Sequence, residues 1–411
     1  MLKTISTSQV KLGMHIHALK GPWVDHPFWK TKFVLQEATD LLKLQKSVVK
    51  EVVIDASKGV DVIVPTLKKS TPPTEQAISV ADAQPSEKTA PIIKRISAQE
   101  ECAQAVRTIS ASKKAVAAMF KDVRMGKAIS TDRLAPLVEE IAASISRNEN
   151  ALISLARLKT KDDYTYMHSV AVCGLMVALS RQLNLTEVET KQAGLAGLLH
   201  DIGKAGIPNE VLNKPGALTE QEFDLVKLHP EQGYQILEGA KVTDEMVLDV
   251  CLHHHEKVDG SGYPEKLKDK EISLFAKMGA VCDVYDAVTS NRPYKDGWDP
   301  AVSLQRMAQW KSHFDQAVFK AFVKSLGIYP IGSAVKLKSG RLGVVIDQSP
   351  KSLLTPIVKV FFSTKAKSRI PVVIIDFSKS NLHDEIIGHE DPEVWGISNI
   401  NEIWSQFEIW D

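Results

Sequence analysis

The chain has 411 residues, 44% of them hydrophobic and 25% charged, a composition typical of globular proteins with room for roughly two to four domains. Its formal net charge of +1 excludes strong long-range attraction to a nucleic acid polymer or to an anionic membrane surface. No apolar run is long enough to span a bilayer, and the first residues lack the basic and apolar blocks of a signal peptide. We therefore expect a cytoplasmic protein.

The four cysteines form no CxxC pair and fall mostly in apolar helical patterns. This placement predicts small buried side chains in a reducing compartment, and it argues against structural zinc bound through thiolates.

Residues 1–66 mix short strand-like runs with a small helix and predict a small α/β accessory domain. The runs Val52–Ile54 and Val62–Val64 are typical of a hairpin. Residues 67–95 are rich in Pro, Ser, Thr, Lys and Glu, which predicts a mobile linker. The first segment shows no constellation of chemical groups, so a partner- or signal-binding module and a structural cap both fit it.

Residues 96–160 predict a helical connector. Apolar residues recur at roughly helical spacing from Cys102 to Val123 and again from Leu134 to Ile145, the second run following a cap signal at Ser130–Asp132. These apolar faces could pack against the next domain or pair between two subunits, so a homodimer stays open. Core packing is the commoner use of such faces.

Residues 161–327 are helical almost throughout by pattern. Capping boxes start at Thr186 and Thr219, and Asp299 precedes a proline in the way of a helix start. Gly327 is placed to end the last helix.

From residue 328 to 411 the hydrophobic period changes to two. Four strands are predicted near Val335–Leu337, Val344–Ile346, Val358–Phe361 and Val372–Ile374. They indicate a small β module, for which a barrel is one available form. The predicted fold class is therefore mainly α, an all-helical metal domain flanked by a small α/β N-terminal module and a small β C-terminal module.

Seven side chains of the metal-ligating type lie on the apolar stripes or at the ends of the helices predicted for residues 161–327. They are His168, His200, Asp201, His229, His254, His255 and Asp283. A buried imidazole or carboxylate is costly unless it is paired or bound to a metal. Each has an ordinary alternative, such as a hydrogen-bonded core histidine, a helix start, a solvated helix end or a turn cap. Together they predict a metal site inside a helical bundle.

Neighbouring residues of a helix cannot face the same way, so His200 and Asp201 can reach one metal centre only where their helix ends. We expect Gly203 to supply the turn.

The spacing of these residues resembles that of the HD superfamily of metal-dependent phosphohydrolases. The sequence around them resembles that of its HD-GYP branch, the cyclic di-GMP phosphodiesterases. The likeness covers residues 164–327 and includes the Gly-Tyr-Pro signature. The matching stretches are His200–Lys204, Ile207–Pro208, Asn213–Gly216, His229–Pro230, His254–Pro264, Asp283–Ala287 and Arg292–Lys295. The flanking N- and C-terminal segments look like those that accompany a subset of this family.

The resemblance implies two divalent metal ions. One would be held by His168, His200, Asp201 and Asp283, and the other by Asp201, His229, His254 and His255, with Asp201 bridging. Mixed imidazole and carboxylate ligands suit iron or manganese best, although nickel or zinc could be loaded. Some members of the family bind a third ion through a Glu one turn before the first His. Tyr164 stands there in this chain, which predicts a binuclear site.

The resemblance also implies roles for residues beyond the ligands. Lys204 would bind the phosphate or stabilise the departing ribose oxygen; its alternative is a cation answering a helix dipole. Arg292 and Lys295 would hold the phosphates and guanines of the substrate. Tyr263 would lie near the ligand, and a purely structural turn is almost as good an interpretation of it.

The function so implied is hydrolysis of cyclic di-GMP by a hydroxide bridging the two metals, with pGpG as the first product; whether GMP is the final product is left open. Asp201 and Lys204 are the expected catalytic residues. A first alternative is a sensor or scaffold with negligible turnover that binds the dinucleotide or a partner such as a diguanylate cyclase. A second is hydrolysis of another cyclic dinucleotide or of a guanosine alarmone, against which the Gly-Tyr-Pro stretch argues. We expect the N-terminal segment to regulate the helical domain across the linker.

Overall fold

The structure is a computed structural model, and it forms two compact units, Met1–Lys94 and Arg95–Asp411. It describes residues 2–19, 33–36, 38–45, 49–60, 95–158, 164–214, 216–291, 297–310, 312–349, 352–379 and 384–405. Each unit is built around its own core.

The first unit contains a four-stranded antiparallel sheet and one helix. Its elements are β1 (Leu2–Ser6), β2 (His15–Leu19), β3 (Phe33–Val34), α1 (Ala38–Gln45) and β4 (Glu51–Asp55). The strand order is β1-β4-β2-β3, and the buried core includes Met14, Ile16 and Ile54. β1 and β2 pair with the two edges of β4, so neither edge is free for the hairpin partner predicted for Val52–Ile54. The second strand of that predicted hairpin, Val62–Val64, lies outside the described residues.

The second unit is mainly helical, as predicted. Its helices are α2 (Ala98–Arg124), α3 (Ala135–Arg147), α4 (Ala151–Ala156), α5 (Tyr164–Gln182), α6 (Glu187–Leu199), α7 (Asn209–Leu212), α8 (Glu220–Val226), α9 (His229–Gly239), α10 (Glu245–His253), α11 (Leu274–Thr289), α12 (Pro300–Met307), α13 (Gln316–Leu326) and α14 (Ile400–Ser405). Every residue of α5 from Met167 to Ser180 is buried. A helix that is covered on all sides lies at the centre of its bundle, and the helices packed around α5 are α2, α3, α4, α6, α11 and α13.

Most of the predicted helix ends are confirmed. Thr186 and Thr219 form capping boxes at the starts of α6 and α8, and Asp299 caps α12. Gly327 ends α13 in the left-handed region, with φ of +81°, which a residue without a Cβ adopts at little cost. The cap signal at Ser130 was wrong, because a short 3-10 turn, Thr131–Arg133, intervenes and α3 begins only at residue 135.

The C-terminal residues form a five-stranded antiparallel sheet. Its strands are β5 (Ala334–Leu337), β6 (Arg341–Asp347), β7 (Ile357–Ser363), β8 (Ser368–Asp376) and β9 (Ile386–His389), in the order β8-β7-β6-β5-β9. Over the described residues β8 and β9 are its two edges, so the module is an open sheet and the barrel form is corrected. A barrel would require these two strands to pair.

The sheet packs on the helices of the second unit through specific polar contacts. Asp347 Oδ2 accepts a hydrogen bond from the main-chain N–H of Ala98 at the start of α2, at 2.9 Å. Asp299 Oδ2 accepts one from the N–H of Ala334 in β5, at 3.1 Å. These contacts join the β module to the starts of α2 and α12.

All four cysteines are free and buried, as predicted. Over the described part of the chain, no helix combines the length and the apolar character that crossing a membrane requires.

Candidate metal centre

The central helix α5 and the neighbouring α6, α9, α10 and α11, with the turns that follow α6 and α10, bring all seven predicted ligands together. Six are buried and His255 is half-buried. Their ligand atoms form two sets, within each of which all atoms lie within 4.8 Å of one another. The first ligand group consists of His168, His200 and Asp283; the second ligand group consists of Asp201, His229, His254 and His255.

The local backbone explains how adjacent residues face one centre. Helix α6 ends at Leu199, His200 is its C-cap, and a 3-10 helix follows from Ile202 to Gly206. The tighter winding after Asp201 changes the direction in which successive side chains point. His200 and Asp201 therefore both reach the interior.

Gly203 has a different role from the predicted one. Its φ is not positive, so it makes no left-handed turn. A Cβ at this position would overlap the carbonyl oxygen of His229 and would lie 2.5 Å from the main-chain N of Gly233. Gly203 thus allows the 3-10 segment to pack directly on the first turn of α9, which carries His229.

Asp201 lies between the two ligand groups. Its Oδ2 is 3.4 Å from Nε2 of His168 and 3.4 Å from Nε2 of His200. Its Oδ1 is 3.2 Å from Nε2 of His229 and 3.8 Å from Nε2 of His254. One carboxylate oxygen therefore faces each group. Oδ1 is buried and accepts no hydrogen bond from any described residue, which leaves its lone pairs available to a cation.

Four of the histidines have their ring orientation fixed from behind. Nδ1 of His168 lies 2.6 Å from Oδ2 of Asp286. Nδ1 of His200, His229 and His254 each lie 2.7 to 3.0 Å from a main-chain carbonyl oxygen of the preceding turn. Because an acceptor requires a proton on Nδ1, the lone pair of the neutral ring is on Nε2 and points inward.

The inward-facing nitrogens of four histidines lie close together in two pairs. Nε2 of His168 is 3.2 Å from Nε2 of His200, and Nε2 of His229 is 3.2 Å from Nε2 of His254. When both rings of a pair are neutral with the proton on Nδ1, two nitrogen lone pairs at this distance repel each other, and a cation against them removes the repulsion. In the absence of a cation, a proton on Nε2 of His168 is held by Oδ1 of Asp283, 2.9 Å away. The donor set therefore fits a metal in each ligand group.

The protonation states of His254, His255 and Asp201 fit the same conclusion. Burial holds the pKa of His254 well below the ordinary value and lowers the pKa of His255 to about 3. Burial opposes ionisation of Asp201, but the charge of Lys204 and the neighbouring His200 outweigh it and lower the pKa of Asp201 well below its usual range. Neutral imidazoles and ionised carboxylates are the forms that bind a metal. At His168 burial opposes protonation, but Asp283 and Asp286 outweigh it and raise the pKa, so a metal would have to displace a proton from this ring.

Asp286 is a site residue that sequence reasoning missed. It lies three residues after Asp283 on the buried face of α11, is 3% exposed, and holds His168 through its Oδ2. Its Oδ1 accepts a hydrogen bond from Ser290 Oγ at 3.2 Å. The available signal was a second carboxylate one helical turn along the same apolar stripe.

Three further residues lie against the ligand groups. Lys204 Nζ is 2.5 Å from Oδ2 of Asp201, so the lysine is directed at the centre. The ring of Tyr263 stacks on that of His255, with centroids 4.7 Å apart and planes inclined by 29°. Tyr164 stacks in parallel on His168 at 5.8 Å.

Two predicted substrate residues, Arg292 and Lys295, lie outside the described residues. On either side of that gap, Asn291 Oδ1 accepts a hydrogen bond from the main-chain N–H of Gly297 at 2.9 Å, which joins the two described ends.

A helical bundle that converges buried, inward-facing imidazoles on a shared aspartate defines a metal-binding HD domain. The comparisons with known proteins agree with this class. Residues 134–318 match the HD domain family, and residues 2–134 match a domain of unknown function, DUF3391. The chain belongs to the HD-GYP family of cyclic di-GMP phosphodiesterases.

The similarity to one relative extends over nearly the whole chain. "Cyclic di-GMP phosphodiesterase PA4108" of Pseudomonas aeruginosa is 52% identical over 98% of this chain and 96% of its own length. "Cyclic di-GMP phosphodiesterase response regulator RpfG" of Xanthomonas campestris pv. campestris is 37% identical over 47% of this chain and 53% of its own. A solved structure, an HDG"Y"P protein (Bd1817) from Bdellovibrio bacteriovorus, aligns with a TM-score of 0.41 at 14% identity, covering 79% of this chain and 99% of that one.

Proposed function

We propose that this protein hydrolyses cyclic di-GMP to pGpG at a binuclear metal centre in its HD domain, with pGpG a candidate for further cleavage to GMP. The observation that carries the proposal is the position of Asp201, with one oxygen facing each pair of opposed imidazole nitrogens. The name of the relative that is 52% identical over nearly its full length supplies the substrate. Relatives that match a shorter part of the chain include both cyclic di-GMP phosphodiesterases and 3'3'-cGAMP-specific phosphodiesterases by name.

The ligands that we assign to the two ions follow the two ligand groups, with Asp201 shared. Iron or manganese fits this mixture of imidazole and carboxylate donors. When bound, such ions would lower the pKa of a water molecule, so that hydroxide is available at neutral pH to attack a phosphodiester, and they would offset the negative charge that builds up on the phosphate.

The residues of the chain would do the remaining work. Lys204 would donate to a phosphate oxygen or to the departing ribose oxygen. Its own contact with Asp201 keeps the ammonium group at the edge of the centre. Tyr263 stays a neutral phenol, because burial and then the negative charges of Asp283 and Asp201 raise its pKa, and it would donate a hydrogen bond to the substrate. Arg292 and Lys295 would bind guanine and phosphate groups.

The proposal is tested by metal analysis and a product assay on the same anaerobic preparation. We expect two metal ions per chain and conversion of cyclic di-GMP to pGpG. Asp201→Ala should remove both, because it takes away the shared ligand. Asp269→Asn, at an exposed carboxylate that contacts Lys277, is the control and should retain both. Metal-replete, reduced protein that leaves cyclic di-GMP intact would contradict the proposal.

The partner and assembly predictions remain to be tested. A diguanylate cyclase or other regulatory partner, a homodimer and a cytoplasmic location each stay predictions.

A further inference from the structure

A buried carboxylate next to the metal ligands holds the segment that carries the Gly-Tyr-Pro signature. Glu256 follows His254 and His255 directly and is 3% exposed. Its Oε1 accepts hydrogen bonds from the main-chain N–H groups of Glu265 (2.7 Å) and Lys266 (2.9 Å), and its Oε2 from that of Leu267 (3.1 Å). Three consecutive amides thus converge on one side chain.

We propose that Glu256 is a positioning residue that holds Tyr263 against His255 and thereby shapes the substrate-binding edge of the metal centre. The inference rests on the proposed function, since it concerns how the same site receives its substrate. It assigns Glu256 no contact with substrate or metal.

The backbone of the segment, which we call the GYP loop (residues 260–267), is arranged to bind a carboxylate. Lys266 has φ of +58°, a left-handed conformation that costs a residue with a Cβ about 1 kcal/mol. A left-handed residue turns successive N–H groups to the same side and forms an anion-binding concavity. Among the described residues Glu256 has no ion-pair partner, so these amides are what compensates its buried charge.

The other side of the GYP loop is packed against the ligand-bearing backbone. A Cβ on Gly262 would lie 2.5 Å from Cα of Glu256 and 2.7 Å from the carbonyl oxygen of His255. The main-chain N–H of Tyr263 donates to that same oxygen at 3.3 Å. The loop is therefore fixed before Tyr263 by close packing and after it by Glu256.

This double attachment sets the ring stack between Tyr263 and His255. If Glu256 is replaced, the residues after Tyr263 lose their anchor while the ligands keep their own hydrogen bonds. A misplacement of the order of 1 Å at a substrate-positioning group can cost up to about a hundredfold in rate. We therefore expect substrate binding to suffer more than metal binding.

The experiment compares Glu256→Gln and Glu256→Ala with Glu271→Gln in the full-length, metal-loaded protein. Glu271 is a matched control, because its exposed carboxylate accepts a single main-chain hydrogen bond from Lys268 at 2.8 Å. Hydrogen exchange of amides 265–267, metal content, KM and kcat for cyclic di-GMP are measured for each variant.

For Glu256→Ala we expect exchange at 265–267 to accelerate at least about tenfold and KM to rise about tenfold or more, with metal content unchanged. Glu256→Gln should show smaller changes in both, since its carbonyl oxygen keeps two of the three amides. Tyr263→Phe combined with Glu256→Gln should give less than the sum of the single effects, because both act through one ring.

Unchanged exchange at 265–267, or effects of Glu256 and Tyr263 that simply add, would overturn the inference. Loss of metal in parallel with the rise in KM would also overturn it, because Glu256 would then act on the ligands as a whole. If the alanine variant does not fold, the glutamine variant decides. A wild-type protein without turnover refutes the proposed function, whereas the exchange data still report whether Glu256 holds the loop.

Discussion

The orientation of single imidazole rings decides what this centre can bind. The hydrogen-bond acceptors behind His168, His200, His229 and His254 are all placed so that the Nε2 lone pair faces inward. Three of them are main-chain carbonyls, which substitution cannot remove. The fourth is the carboxylate of Asp286, and it is the one that mutation can test.

Asp286→Asn should weaken metal binding by about 10- to 100-fold, the usual effect of losing a carboxylate behind a metal-ligating histidine. Titration of the metal-free protein with Mn²⁺ measures this. Ser290→Ala, which removes only the 3.2 Å contact to Asp286 Oδ1, is the control and should bind nearly as tightly as the wild type. Equal affinity in Asp286→Asn and the wild type would show that His168 is oriented by something else.

Gly203→Ala should destabilise the protein by about 3 kcal/mol and reduce metal content, because the new Cβ meets backbone atoms of α9 that cannot move aside singly. Urea unfolding and elemental analysis check the two effects. Gly239→Ala is the control. Gly239 is the last residue of α9 and has nothing within 4 Å of an added Cβ, so this variant should be as stable as the wild type or slightly more stable. A Gly203→Ala variant as stable as Gly239→Ala would contradict the packing argument.

At the scale of elements, five of the seven ligands lie where helices begin or end, whereas His168 and Asp283 lie within α5 and α11. His200 and Asp201 follow α6, His229 begins α9, and His254 and His255 follow α10. Helix ends can direct neighbouring side chains to one point, which a continuous helix cannot do. A helix end also serves two purposes at the β module. Asp299 caps the start of α12 and accepts a hydrogen bond from the main-chain N–H of Ala334 in β5.

The contact between β9 and the cap of α12 predicts that the stability of the protein depends on pH. His389 of β9 lies 3.3 Å from Oδ2 of Asp299, and although burial opposes its protonation, Asp299 raises its pKa above the ordinary 6.5. The folded state therefore binds this proton more tightly than the unfolded state. The resulting stability is fully present below about pH 6.5 and is lost as the pH rises through the folded-state pKa.

The contribution of the His389–Asp299 ion pair to the free energy of unfolding should be about 1 kcal/mol or less, since both side chains are partly exposed. His389→Gln should reduce the fall in urea midpoint between pH 6 and pH 9 relative to the wild type, which isolates this histidine from other titrating groups. Parallel pH profiles for the two proteins would exclude the ion pair as a contributor.

At the scale of the whole molecule, the chain consists of two units with separate cores. All seven candidate ligands belong to the second unit, and so do Asp286, which orients His168, and Glu256, which holds the GYP loop. The metal centre should therefore be complete without residues 1–94.

A fragment of residues 95–411 should keep its metal ions and its thermal transition, because its ligands and core are internal. If the N-terminal unit regulates the helical unit, kcat/KM for cyclic di-GMP should differ between the fragment and the full-length protein, and both are measured at equal metal content. Identical kcat/KM values and identical partner binding would remove the regulatory hypothesis. A fragment that fails to fold would contradict the independence of its core.

The local sequence was sufficient wherever the determinant is local. Apolar periodicity identified residues 161–327 as a helical region, and capping boxes and Gly327 located several helix ends in it, because each depends on residues within one or two turns. The identity and spacing of the ligands, with the family resemblance, defined the kind of chemistry. The boundaries predicted for the linker, the connector and the β module stay predictions.

Only the tertiary structure determined which residues support that chemistry. The contact of Asp286 with His168 spans 118 residues, and the overlap that excludes a side chain at Gly203 involves α9, so neither has a local signal. The openness of the C-terminal sheet likewise depends on which strands meet. A sequence determines by itself the elements that neighbouring residues can form. The arrangement in which one ligand group faces each carboxylate oxygen of Asp201 exists only once distant helices have packed together.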